Sequence, residues 1–131
     1  MSVLLDTHVL LWALAEPAKL DGETRGTIES GEIDVLFSAA SIWEIAIKGG
    51  LGRRDFAIDP AEIARAALDT GFTELTVRSN AAALVGRLPL LHRDPFDRLL
   101  VAQAIVERAI LYTADKQLVP YSDAVRVVGS R

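Results

Sequence analysis

From one end to the other, short apolar runs alternate with helix-patterned stretches, and few architectures accept that order. Val3–Leu5 reads as a buried strand, and Thr7–Ala15 as a helix ended by Glu16-Pro17. Glu23–Ser30 reads as a polar, exposed helix stopped at Gly31. Asp34–Phe37 forms a second strand, followed by a helix from Ser41 to about Lys48 that Gly49-Gly50 stops. Pro60–Thr70 is helical, with Pro60 in a favoured first-turn position and Gly71 as the stop. Phe72–Val77 is a strand, and Ser79–Arg87 a helix that ends before Pro89. Asp94-Pro95 opens a long helix reaching Arg108, and Ala109–Thr113 and Val125–Val128 complete the strands. Strands separated by helices predict an α/β fold with a mostly parallel sheet of about five strands and helices on both faces. Ligands of such sheets bind beyond the carboxyl ends of the strands. Chemically unusual residues are therefore sought there.

Composition narrows the class. The 131 residues suit one domain spanning 1–131, half of them hydrophobic and 24% charged, as in a globular core. There is no cysteine, which excludes disulfides, thiolate metal sites and a cysteine nucleophile. The apolar N-terminal run lacks a basic leader and is interrupted by Asp6 and His8, so it does not read as a signal peptide. No run reaches the roughly 18 apolar residues of a membrane helix. A cytoplasmic protein with no membrane association is expected. The formal charge of −4 would disfavour a nucleic-acid binder. Four acids around bound cations would remove that objection, so net charge decides little.

Four carboxylates fall where the fold would place a site. Asp6 follows the first strand, Glu44 lies in the first turn of the helix after the second, Asp97 in the first turn of the long helix, and Asp115 just after the fourth strand. Each has a local explanation. Asp6 or Thr7 would cap a helix, Ser41-Ile42-Trp43-Glu44 fits a capping box, Asp97 suits a helix dipole, and Asp115 would cap a turn. Together they imply more. On one sheet edge, four like charges raise one another's pKa and destabilise the fold unless a positive charge sits among them. No lysine or arginine neighbours all four in sequence. A hard divalent cation, Mg²⁺ or Mn²⁺, answers the requirement with oxygen ligands and leaves positions for phosphate and water. The residues alone point to metal-assisted phosphoryl transfer.

Four segments then resemble the motifs of PIN-domain proteins, in order and spacing: Leu4-Leu5-Asp6-Thr7-His8-Val9-Leu10-Leu11-Trp12, Ser38-Ala39-Ala40-Ser41-Ile42-Trp43-Glu44-Ile45, Asp94-Pro95-Phe96-Asp97-Arg98-Leu99-Leu100-Val101-Ala102-Gln103-Ala104, and Leu111-Tyr112-Thr113-Ala114-Asp115. Within that family the chain looks most like VapC-type toxins of toxin–antitoxin pairs. The resemblance implies a PIN-like domain and an endoribonuclease that cleaves RNA with metal-activated water. It implies that Asp6, Glu44, Asp97 and Asp115 are the catalytic quartet holding Mg²⁺ or Mn²⁺. Thr7, Ser38 and Thr113 match the small hydroxyl residues near such a site. It also implies two protein partners: an antitoxin, which commonly plugs the acidic site with a basic side chain, and a second copy in a homodimer.

Other residues have weaker claims. Asp94 reads first as the cap of the long helix and second as a fifth acid. His8 and His92 lack helical metal-ligand spacing to a partner, and His8, at a helix start, reads first as a surface or satisfied histidine and second as a phosphate contact. Arg98 would neutralise the acids, hold a phosphate, or make an ordinary salt bridge. Lys48 is spaced for an i, i+4 pair with Glu44, and with Arg53 and Arg54 forms a small basic cluster that reads first as a solvated loop and second as a contact for an RNA backbone. Lys116 beside Asp115 has the same two readings. Trp12 and Trp43, with Ile42, Ile45, Ile47 and Leu51, give more apolar face than one sheet requires, which suits an antitoxin helix or a dimer contact.

Two rivals remain. An aspartyl phosphatase would need a second aspartate two residues after Asp6, where His8 stands, and a receiver domain would need paired acids that are not evident. A catalytically silent PIN-fold module binding RNA or a partner is the other, since a fold alone never fixes an activity.

Overall fold

The computed structural model describes residues 1–50 and 59–129. The expected basic contribution of Arg53 and Arg54, and the apolar one of Leu51, lie outside the described residues.

Strand β1 (Ser2–Leu5) leads into helix α1 (Thr7–Ala15), a 3-10 turn (Pro17–Lys19) and α2 (Gly22–Glu29). Then come β2 (Asp34–Ser38), α3 (Ala39–Gly50), α4 (Pro60–Thr70), β3 (Thr73–Leu75), α5 (Ser79–Val85), α6 (Pro95–Glu107), β4 (Ile110–Thr113), a second 3-10 turn (Lys116–Tyr121) and β5 (Val125–Val127). The five strands form one sheet in the order β3-β2-β1-β4-β5. Every pairing is parallel, with Leu5 opposite both Phe37 and Tyr112. The expected parallel sheet of about five strands is present, and it is parallel throughout.

Side chains alternate across the sheet with the two-residue period of a strand, and both faces are covered. Val3, Leu5, Val35, Phe37 and Tyr112 pack with Val9, Leu10, Ile28, Ile45, Ile63 and Ala67 from α1 to α4. Leu4 and Leu111 point the other way and pack with Leu100, Val101, Ala104 and Leu118 from α6 and the second 3-10 turn. Each fully buried side chain of this size contributes roughly 1.5–3 kcal/mol. Two apolar layers therefore hold the sheet edge rigid from both sides.

Helix ends follow local chemistry. Asp21 accepts from the Thr24 backbone N–H at 3.1 Å and Asp59 from that of Ala61 at 2.9 Å, which sets the starts of α2 and α4. Helix α4 stops at Gly71, whose φ of 101° is open to glycine and strained for other residues.

One boundary differs from the sequence reading in a way that matters. Helix α3 begins at Ala39 rather than Ser41, because the Ser38 hydroxyl accepts from the Ala40 N–H at 3.0 Å and caps the helix there. The capping box expected at Ser41 and Glu44 is not formed. Glu44 sits in the second turn, where its side chain is released from capping.

Candidate active site

Strand order reverses between β1 and β4, and ligand sites of parallel sheets form at that point. A pocket of about 340 Å³ lies there, lined by Asp6, Glu44, Asp94, Asp97 and Asp115, with Lys48, His8 and Trp12 at its walls. A larger cavity of about 490 Å³ lies near the amino ends of β2 and β3, among Leu20, Ile28, Val35 and Phe72. Its Arg25 is already paired with Glu29, and it gathers no comparable chemistry.

Three of the acids divide their two oxygens between structure and pocket. Asp6 Oδ1 caps α1 by accepting from the Val9 N–H at 2.8 Å, while Oδ2 accepts from the Thr113 hydroxyl at 2.5 Å. Asp94 Oδ1 caps α6 through the Phe96 N–H at 2.8 Å, and Oδ2 stands 3.9 Å from Lys48 Nζ. Asp115 Oδ1 accepts from the Gln117 N–H at 2.9 Å, and Oδ2 meets His92 Nε2 at 2.8 Å. The local capping explanation holds for all three and leaves the second oxygen of each for other work.

Glu44 is buried, takes the Thr7 hydroxyl at 2.6 Å, and pairs with Lys48 one turn on. Asp97 is held differently. Burial first, then the charges of Asp94, Asp6 and Glu44, push its carboxyl up to about 7, with His92 opposing. Burial also raises Asp6, against the hydrogen bonds of Thr113, Val9 and Ala114 and the charge of His8. Such a set favours any cation that reaches it. Among the described residues, His92, Asp97 and Asp115 bring one potential ligand atom each to within 4.8 Å of one another.

Not every sequence candidate reaches the pocket. Arg98 donates to the Val85 and Leu88 carbonyls at 3.0 and 3.2 Å, so it braces the segment before α6 and does not line the pocket. Ser38 is fully buried and donates to Gln103 Oε1 at 2.6 Å, tying β2 to α6. Thr7 and Thr113 are buried too, and their hydroxyls serve Glu44 and Asp6 rather than facing a substrate. Lys48 does line the pocket, paired with Glu44 as its spacing allows and 3.9 Å from Asp94. Lys116 is exposed at the start of its turn.

The sequence reading missed His92. Its partner Asp115 lies 23 residues away, a spacing no local motif records. Trp43 is 59% exposed, edge-on to Phe96 with ring centres 5.2 Å apart, and Ile47 one turn on is 39% exposed.

A parallel α/β sheet with acids gathered at its switch point defines a class, and the chain belongs to it: the PIN-domain family, whose model matches residues 3–122. The chain is a homologue of the VapC ribonucleases, 33% identical over 121 residues to Ribonuclease VapC22 of Mycobacterium tuberculosis (strain ATCC 25618 / H37Rv), with 89% of each chain covered. Its fold is similar to that of a chain in the crystal structure of VapBC2 from Rickettsia felis bound to a DNA fragment from their promoter, with a TM-score of 0.73, 15% identity, and 98% and 99% of the two chains covered. A chain of FitAcB from Neisseria gonorrhoeae matches with a TM-score of 0.60, 19% identity, and coverage of 95% and 96%.

Proposed function

We propose that the chain is a divalent-metal-dependent endoribonuclease, the toxin of a toxin–antitoxin pair, and that Asp6, Glu44, Asp97 and Asp115 are its catalytic acids. One observation carries the reading: these four line a single pocket in which Asp97 holds its proton up to about pH 7. The oxygen-rich donor set fits a hard cation, Mg²⁺ or Mn²⁺. When bound, such a cation neutralises the acids, polarises a phosphodiester and makes a water more acidic. Asp97 and Asp115 would hold it from α6 and the end of β4, with Asp6 and Glu44 completing the set.

The chain's own groups do the rest. Thr113 and Thr7 fix the carboxylates of Asp6 and Glu44, so that these meet a cation without reorganising. Lys48 stands against Glu44 and Asp94, the position from which an ammonium would meet RNA phosphate. Water is the nucleophile. There is no cysteine, and the threonine hydroxyls at the site already donate to carboxylates.

The exposed Trp43 and Ile47 beside the pocket supply an apolar surface for the antitoxin or a second copy. Among the described residues no helix is long and apolar enough to cross a membrane.

Structured RNA incubated with the purified chain should be cleaved with Mg²⁺ or Mn²⁺ and spared after chelation. Asp6→Asn and Asp97→Asn should each lower the rate by about a hundredfold or more, as loss of a charge-stabilising group commonly does. Cleavage surviving chelation or either substitution would sink the nuclease assignment. Metal uptake without any cleavage would favour a silent RNA-binding module.

A further inference from the structure

His92 Nε2 lies 2.8 Å from an Asp115 oxygen and 3.7 Å from an Asp97 oxygen, close enough for the three to share a cation, yet its other ring nitrogen forbids that role. Nδ1 accepts the Asp94 backbone N–H at 3.0 Å, so its lone pair is committed there. A neutral imidazole that accepts at Nδ1 carries its proton at Nε2. An Nε2 that bears a proton has no lone pair for a metal. It donates instead, and Asp115 Oδ2 receives the bond.

The segment is also held in place. The Tyr121 hydroxyl accepts the Leu91 and His92 N–H groups at 3.0 and 2.9 Å. Tyr121 closes the same 3-10 turn that Asp115 caps. The ring therefore hangs between two fixed points, its backbone on Tyr121 and its Nδ1 on Asp94, with Nε2 aimed at the carboxylate.

We propose that His92 is a positioning residue locked in its Nε2–H tautomer, which orients Asp115 for the cation without binding the cation itself. The inference rests on the reading that Asp97 and Asp115 hold Mg²⁺. Hydrogen-bond partners of ligating carboxylates change metal affinity by about 10- to 100-fold when removed. Two substitutions divide the imidazole. His92→Gln extends an amide N–H to where Nε2 stood, while His92→Asn keeps an acceptor near Asp94 and falls short of Asp115.

Mg²⁺ titrated calorimetrically into the full chain should bind His92→Asn at least about tenfold more weakly than the unaltered protein. His92→Gln should stay within about threefold of the unaltered affinity. Nitrogen NMR of the two histidine rings, told apart with His92→Gln, should show a protonated Nε2 on His92 before and after Mg²⁺. A switch to the Nδ1–H tautomer on Mg²⁺ addition makes His92 a ligand and overturns the proposal. So does equal affinity of His92→Asn and the unaltered chain. If the unaltered chain takes up no Mg²⁺, the metal reading itself has failed and takes this inference with it.

Discussion

Asp97 is desolvated by burial first and then crowded by the charges of Asp94, Asp6 and Glu44, while His92 Nε2 stands 3.7 Å away, beyond hydrogen-bond reach. Its carboxyl therefore ionises near 7 in the folded chain and near its ordinary 3.8 in the unfolded one. Between those values the folded state binds the extra proton, so stability falls as pH rises from about 4 to about 7 and levels off above. The full penalty has a ceiling of roughly 4 kcal/mol, and relaxation and neighbouring titrations reduce it. Asp97→Asn keeps the shape and removes the charge. Without metal it should stabilise the protein by about 1–3 kcal/mol at pH 8 and by little at pH 4, read from urea melts at both. Superimposable melts of variant and parent at pH 8 would show that Asp97 carries no such penalty.

Much of the element map was legible because its punctuation is local. Thr7–Ala15 and Pro60–Thr70 stand as read, the first between Asp6 and Glu16-Pro17 and the second between Pro60 and Gly71. Where the deciding partner is distant, local reading failed. Ser41 and Glu44 had the spacing of a capping box, but Ser38 competed for the helix start and is anchored by Gln103, 65 residues on. Strand β3 was read from Phe72 to Val77 and spans only Thr73–Leu75, since the Thr76 carbonyl accepts from the Gln103 side chain at 3.3 Å. Arg98 looked like a site residue because it follows Asp97, yet the helix turns it toward the Val85 and Leu88 carbonyls. The acids of the pocket were legible for the opposite reason, since strand ends in a parallel sheet converge by topology. Ser38 offers a test at this scale. Ser38→Ala removes the α3 cap and orphans a buried amide oxygen on Gln103, at a cost of about 1–3 kcal/mol. Urea midpoints should fall accordingly, while Mg²⁺ affinity stays within about twofold. A tenfold loss of affinity with unchanged midpoint would return Ser38 to the site.

The pocket draws Asp6 from the end of β1, Glu44 from α3, Asp97 from α6 and Asp115 from the end of β4, so its acids repel across both apolar layers at once. A cation among them links segments that unfolding must separate, and binding to the folded state alone stabilises the whole chain by mass action. At a hundred times the dissociation constant the gain is about 2.7 kcal/mol, enough to move the melting temperature by several degrees for a chain of this length. Protons compete with the cation for Asp97 below pH 7. Affinity should then weaken toward about tenfold per pH unit below that point, equivalent to about 1.4 kcal/mol. Melting with and without MgCl₂ should accordingly give a larger shift at pH 8 than at pH 6, reversed by chelation. Sodium chloride at matched ionic strength separates site binding from screening of the −4 chain, because screening extends over about a Debye length and needs no defined ligands. An equal shift from sodium chloride, or one indifferent to pH, would mean that repulsion is relieved diffusely, and the four carboxylates would lose their claim to be one metal site.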